Sequence, residues 1–399
     1  MANRWVVLAV GTVAQGVNAA VFLGLPALTP QLREHFGLTL PQVGLLLGAV
    51  NLGTMVALVP WGVVADRHGE RLAMTIGGFG AALFLALTAV GGPVLAGVAL
   101  VGVGLCGASV NAASGRAVMN WFTTDKRGLA MGVRQAASPL GAALTAAVLP
   151  GVAIGAGVPV AFVALAGVTG FVALATAALV REPPGAVRAT RAPGLVLADP
   201  RLIRLSVASG LLVVPQFTAA TLMVVLLVER VGVPVGPAAG LFAAAQVLGG
   251  LGRLAVGVWS DAVRDRIGPL RKLAVACAVA FGLCTAAVDA PTWVVCAVFV
   301  ATTAIAVSWN GVALTAAGEL APPGRSGTAI AMQNGANYLA ATVTPPLAAW
   351  VADTFGWAVA LLLAAVTAIG ARLLLGRAST AGQGPPRRTS RSRHARKTA

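Results

Sequence analysis

A chain of 399 residues with 58% apolar and only 10% charged residues, at a mean hydropathy of +0.87, cannot be folded as a water-soluble globule. Soluble domains carry about 25% charged residues, and the polar cover here is too thin for the apolar surface. Despite the formal charge of +16 no nucleic-acid partner is expected: seven of the 28 basic residues lie between Arg377 and Lys397, and the others punctuate apolar runs without forming a basic face interleaved with aromatics.

In chain order, apolar runs near membrane-crossing length fall at 5–28, 41–64, 72–90, 94–118, 128–149 and 158–180. After a polar gap they resume at 205–228, 237–259, 273–288, 292–314, 327–351 and 357–375. Gly91-Gly92-Pro93 and Gly157-Val158-Pro159 are the turn signals that divide the two longest uncharged stretches. The first run has no Ala-x-Ala site before Arg33 and is expected to be retained as a helix rather than cleaved as a signal peptide. The chain is thus expected to be an all-α membrane protein of twelve transmembrane helices in two six-helix halves. The expected divisions are 1–180, a linker at 181–204, 205–375, and a disordered basic tail at 376–399. Cys106, Cys277, Cys284 and Cys296 all sit within apolar runs and form no metal or redox motif.

The loops set the orientation. With a cytoplasmic N-terminus, one side collects Arg67, Arg71, Lys126, Arg127, Arg181, Arg188, Arg191, Arg201, Arg204, Arg264, Arg266, Arg271, Lys272 and Arg325, together with the tail. Only Arg33 and Arg230 fall on the other side. The positive-inside rule then places both termini in the cytoplasm of a multi-pass inner-membrane protein.

The halves echo each other. An offset of 195 lays Asn51, Gly62 and Asp66 on Gln246, Gly257 and Asp261. An offset of 199 lays Ser109, Asn111, Gly128, Gln135 and Ser138 on Ser308, Asn310, Gly327, Asn334 and Asn337. An offset of 201 lays Gln15 on Gln216. Ordered polar matches at nearly one offset indicate duplication, which puts a solute site between the halves near mid-membrane.

The loop Gly62-Val63-Val64-Ala65-Asp66-Arg67-His68-Gly69-Glu70-Arg71 closely resembles the G-x-x-x-D-R-x-G-R-R/K signature of the major facilitator superfamily. A degraded copy runs from Gly257 through Asp261 to Gly268, and 121–132 also resembles that superfamily's loop between the fourth and fifth helices. The resemblance implies a rocker-switch carrier in which Gly62, Asp66, Arg67, Gly69 and Arg71 brace the second helix against the other half. Two departures are visible. Val98 stands where many proton-linked members have an arginine, four residues before the Gly102-x-Gly104 step, and 138–141 matches the Gly-Pro-rich helix of drug antiporters only in part.

No apolar run has Asp, Glu or His in its interior, so neither a proton relay nor a hydrolytic centre is visible, and no cofactor or metal is expected. Arg116, Arg134 and Arg253 lie within runs, roughly 8–12 Å inside the cytoplasmic boundary at 1.5 Å per residue. Three uncompensated arginines facing a cavity would attract a carboxylate or phosphate. With them, Gln15, Asn18, Asn111, Asn310, Asn334 and Asn337 form the expected binding set for a small, anionic solute. The leading expectation is a monomeric secondary transporter in the lipid bilayer; proton-coupled efflux of a drug or natural product and a transporter-like sensor are the alternatives.

Overall fold

The structure, a computed structural model, describes residues 3–186 and 194–378. Among these the regular structure is entirely helical. The first half contains α1 (Arg4–Gly24), α2 (Leu40–His68), α3 (Glu70–Thr88), α4 (Pro93–Trp121), α5 (Arg127–Ala156) and α6 (Val158–Leu179). The second contains α7 (Pro200–Glu229), α8 (Val235–Ala262), α9 (Ile267–Ala287), α10 (Thr292–Leu320), α11 (Ser326–Phe355) and α12 (Trp357–Ala378). Eleven of these are long and apolar enough to cross a membrane by length and composition. α11 is equally long but more polar, with Gln333, Asn334, Asn337 and Tyr338 in its middle.

Three details differ from the sequence reading. The chain after α1 continues as a 3-10 turn (Leu25–Leu28) and a short helix (Thr29–Phe36), so Arg33 lies in helix rather than loop. α10 is interrupted at Ser308 and Trp309. α7 starts at Pro200, inside the expected linker; of that linker 187–193 lie outside the described residues, as do 379–399 of the expected tail.

Gly69, at φ +94°, makes the tight turn from α2 into α3, a conformation a side chain would strain. Each half has its own apolar core, around Leu28, Leu100 and Phe162 in the first and Leu226, Phe281 and Phe299 in the second. A third apolar cluster crosses between them: Val118, Met119 and Met131 pack with Leu314 and Ile330.

Candidate functional site: a gated cavity between the halves

The helix ends explain how the halves hold together. The first N–H groups of any helix have no partner within it and need an outside acceptor. α5 and α11 start with Lys126 and Arg325 at the capping position, and neither supplies a side-chain cap. Each borrows a carboxylate from the opposite half. Asp66, at the end of α2, accepts from the Gly327 amide (2.9 Å), the Thr328 amide (2.8 Å) and the Thr328 hydroxyl (2.7 Å). Asp261, at the end of α8, accepts from the Gly128 amide (2.9 Å) and the Leu129 amide (2.8 Å). The positive end of each helix dipole strengthens these bonds. The pairs are repeat images: Asp66 and Asp261 are matched by the 195 offset, Gly128 and Gly327 by the 199 offset.

Glycines allow the approach. A Cβ on Gly257 would lie 2.4 Å from the Gly128 carbonyl oxygen, and one on Gly62 would lie 2.8 Å from the Gly327 carbonyl oxygen. Gly257→Leu should therefore wedge this end open. In a variant with its four native cysteines replaced, a cysteine substituted for Met119, within the apolar cluster between the halves, should react several-fold faster with a water-soluble maleimide when Gly257→Leu is added. An unchanged rate would show that the end was not sealed by this contact.

Ionic contacts differ between the two latches. Arg116 lies fully buried, with its Nε 3.3 Å from Asp66 Oδ1 and its Nη1 on Glu70, which Asn120 also approaches. Arg116 thus belongs to the latch and does not line the cavity, which corrects its expected place among the solute-binding residues: the carboxylates of Asp66 and Glu70, each near a helix end, already neutralise it. In the second latch Arg266 reaches Asp261 (2.6 Å) and Glu319 (3.2 Å), and Arg127 of the first half approaches Glu319 at 3.7 Å. Arg71 donates to the Ala177 carbonyl (2.8 Å) and so ties α3 to α6 within its own half, while Arg67 is exposed.

Further along the bundle the halves enclose a cavity of about 690 Å³, including its open mouth. Gln15, Asn18, Asn111, Gln135 and Ser138 line it from the first half, and Gln216, Arg253, Asn310, Asn334, Asn337 and Tyr338 from the second. Phe22 and Phe217 add apolar surface. Four of the polar repeat pairs, Gln15–Gln216, Asn111–Asn310, Gln135–Asn334 and Ser138–Asn337, meet here. Gln135, Gln216, Ser138 and Tyr338 were not in the expected binding set; their repeat partners or helical neighbours were the signal for them.

The two remaining arginines have different places. Arg134 is 1% exposed and sits behind the wall, outside the cavity lining. Arg253 lines the cavity at 5% exposure and is anchored by backbone oxygens alone. Its Nη1 donates to the Gln135 carbonyl of the other half, which Pro139 leaves without its usual intrahelical donor. Its Nε donates to the carbonyl of Val307 (2.9 Å), the last residue before the interruption in α10. Nη2 has no partner among the described residues, and no acidic side chain lines the cavity.

Two helical halves around one polar cavity, latched to each other at one end, define a membrane transporter of the alternating-access kind. The chain belongs to the Major Facilitator Superfamily, whose model matches residues 8–312 and again 262–398. It is 36% identical to an uncharacterized MFS-type transporter of Mycobacterium tuberculosis, Rv2994, over 377 residues, covering 92% of this chain and 84% of that protein. A probable L-galactonate transporter of Escherichia coli is 30% identical over 127 residues, which is 30% of this chain and 26% of that one. Among solved structures, the E. coli fucose:proton symporter FucP superposes with a TM-score of 0.77 at 15% identity, covering 94% of this chain and 98% of that one. A bacterial homologue of the iron transporter ferroportin, in an outward-facing state, gives 0.77 at 12% identity, covering 94% and 99%.

Proposed function

We propose that the protein is a secondary active transporter of a small anionic solute, bound in the central cavity with Arg253 as its charge partner. The observation that carries this reading is the electrostatic composition of the cavity among the described residues: one guanidinium with a free Nη2, eight carboxamides and no carboxylate. An unneutralised charge at membrane depth costs on the order of 2.5–3.5 kcal/mol, which a solute anion offsets. A lipophilic cation would find no counter-charge there. The partial relative whose name includes galactonate, a sugar acid, is in keeping with an anionic solute.

In this reading the latched end faces the cytoplasm, because the basic loops around Arg67, Arg71, Arg264, Arg271 and Lys272 cluster beside it. The state described is then open outward, both termini are cytoplasmic, and the protein sits in the inner membrane. Both walls of the cavity come from one chain, so a monomer suffices. Ala399→Cys, in the variant lacking native cysteines, should stay unlabelled by impermeant reagents in intact cells; labelling from outside would reverse the orientation.

The solute reading is tested in proteoliposomes with labelled hydroxycarboxylates, dicarboxylates, phosphate esters and lipophilic cations. Saturable uptake of at least one anion is expected. Uptake of cations alone would overturn the anionic reading.

A further inference from the structure

We propose that Arg134 is a positioning residue that sets the polarity of the cavity's hydrogen-bond network, so that a cluster of donors drawn from both halves faces the cavity and the site selects a hydroxylated carboxylate. This rests on the reading of the protein as a carrier of small anions and names the class of anion.

A guanidinium has five N–H groups and no acceptor. All five of Arg134 are engaged. Nε donates to Ser114 Oγ (2.7 Å), Nη1 to Gln135 Oε1 (2.7 Å) and Met131 Sδ (3.7 Å), and Nη2 to Gln15 Oε1 (3.0 Å) and the Asn111 carbonyl (2.8 Å). None remains for a solute. Because Arg134 only donates, each amide beside it must turn its oxygen inward and its nitrogen away.

Two relays follow from that constraint. In the first, Gln15 Nε2 donates to Asn111 Oδ1 (3.1 Å) and Ser138 Oγ (3.3 Å). Asn111 Nδ2 is thereby turned to donate to Tyr338 Oη across the halves (3.1 Å). In the second, Gln135 Nε2 donates to Asn310 Oδ1, also across the halves (3.1 Å). The relays end on the Tyr338 hydroxyl proton, the Ser138 hydroxyl proton and Asn310 Nδ2, all at the cavity. With Arg253 Nη2 these make a cluster of donors that calls for an acceptor-rich, negative group. A carboxylate supplies four lone-pair sites and no donor.

Two other amides of α11 are ordered differently. The repeat image of Arg134, at the 199 offset, is Gln333, which is fully buried with neither amide atom partnered among the described residues. No donor-only group bonds to Gln333, so nothing imposes a direction on its amide. Asn337, 6% exposed and lining the cavity, likewise has both amide atoms unpartnered. Buried polar atoms without partners are costly, and a ligand can supply them. A carboxamide offering one donor and one acceptor matches a hydroxyl, which needs both. The solute that satisfies both the donor cluster and Asn337 carries a carboxylate and at least one hydroxyl.

The test compares acids with their neutral counterparts by titration calorimetry on the purified full chain: D-gluconate against D-glucitol, D-glycerate against glycerol, L-lactate against propane-1,2-diol. In the parent, at least one acid should bind about tenfold more tightly than its neutral partner, as expected of a charged hydrogen-bonded group. Arg134→Met, with Arg253 intact, should bring that ratio below about threefold, since the amides are free to turn. Arg134→Lys keeps a donor-only head and should retain most of the ratio. A merely structural role would weaken acid and alcohol together and leave the ratio unchanged. Should Arg134→Met not fold, Tyr338→Phe removes one terminal donor and should lower the same ratio. An unaltered ratio in Arg134→Met, or in Tyr338→Phe if only that variant folds, overturns the relay. If proteoliposomes nevertheless carry carboxylates, the transport reading stands without it. If no acid outranks its alcohol and none is carried, both fail.

Discussion

Arg253→Met should lower affinity for the anionic solute by roughly 10- to 100-fold, in line with about 1.5–3 kcal/mol for a hydrogen bond to a charged group. The same change should leave thermal stability unchanged or slightly raised. The reason is the anchoring of Arg253: it is 5% exposed, holds two backbone carbonyls and has no acidic partner among the described residues. Replacing a buried charge by an apolar side chain of similar length removes its desolvation cost. Affinity and melting temperature moving in different directions distinguishes a solute-binding arginine from a structural one. Arg253→Lys should rescue poorly, because an ammonium cannot hold both carbonyls and also point a third nitrogen into the cavity. A large fall in melting temperature for Arg253→Met, with normal solute affinity, would reassign the residue to interface stability.

Asp66→Asn should slow turnover severalfold while leaving insertion and folding largely intact. The carboxylate closes the first latch through three hydrogen bonds to the start of α11 and faces Arg116 at 3.3 Å. An amide keeps an acceptor oxygen but loses the charge and offers an unwanted donor. A change of about 1–2 kcal/mol in the latched state alone shifts the conformational balance by a factor of about 5–30. Asp261→Asn should act in the same direction, because Asp261 caps α5 by the repeat-related contact. Combining the two should favour the unlatched state further than either alone. Maleimide reactivity of a cysteine at Met119 reports that balance, and transport assays report turnover. Equal turnover by Asp66→Asn and parent would show that the latch does not govern the rate.

Much of the fold was legible because lipid leaves few alternatives. Backbone polar groups must be satisfied inside each segment, so apolar runs of the right length are helices. The loop charges and the repeat offsets needed no tertiary information. Four of the polar repeat pairs also led to one cavity, because duplicated helices carry their cavity-facing positions with them. What stayed hidden was which partner each intramembrane arginine takes. Arg116, Arg134 and Arg253 look alike along the chain, each a lone cation in an apolar run. Arg116 meets Glu70 from 46 positions away, across the α3–α4 contact, and helical spacing within α4 says nothing about that. Arg134 is covered by Gln15, a partner 119 positions away on α1. Arg253 depends on two carbonyls exposed by Pro139 and by the interruption of α10, and the latter was not apparent from composition. Glu70 and Glu319 read as ordinary loop and helix-end charges, and only packing shows that both belong to the latches.

Counterflow in proteoliposomes tests the transport mechanism most directly. Vesicles holding purified protein are loaded with a high concentration of the unlabelled carboxylate identified in the uptake panel, then diluted into a trace of the same solute in labelled form. A carrier with one central site that alternates between sides should accumulate label transiently above equilibrium, with no imposed ion gradient. Arg253→Met at equal protein density should lose that overshoot at the same trace concentration. Label that merely equilibrates at the rate of empty vesicles, with the parent protein folded and correctly inserted, would contradict a central site that moves an anion by alternating access.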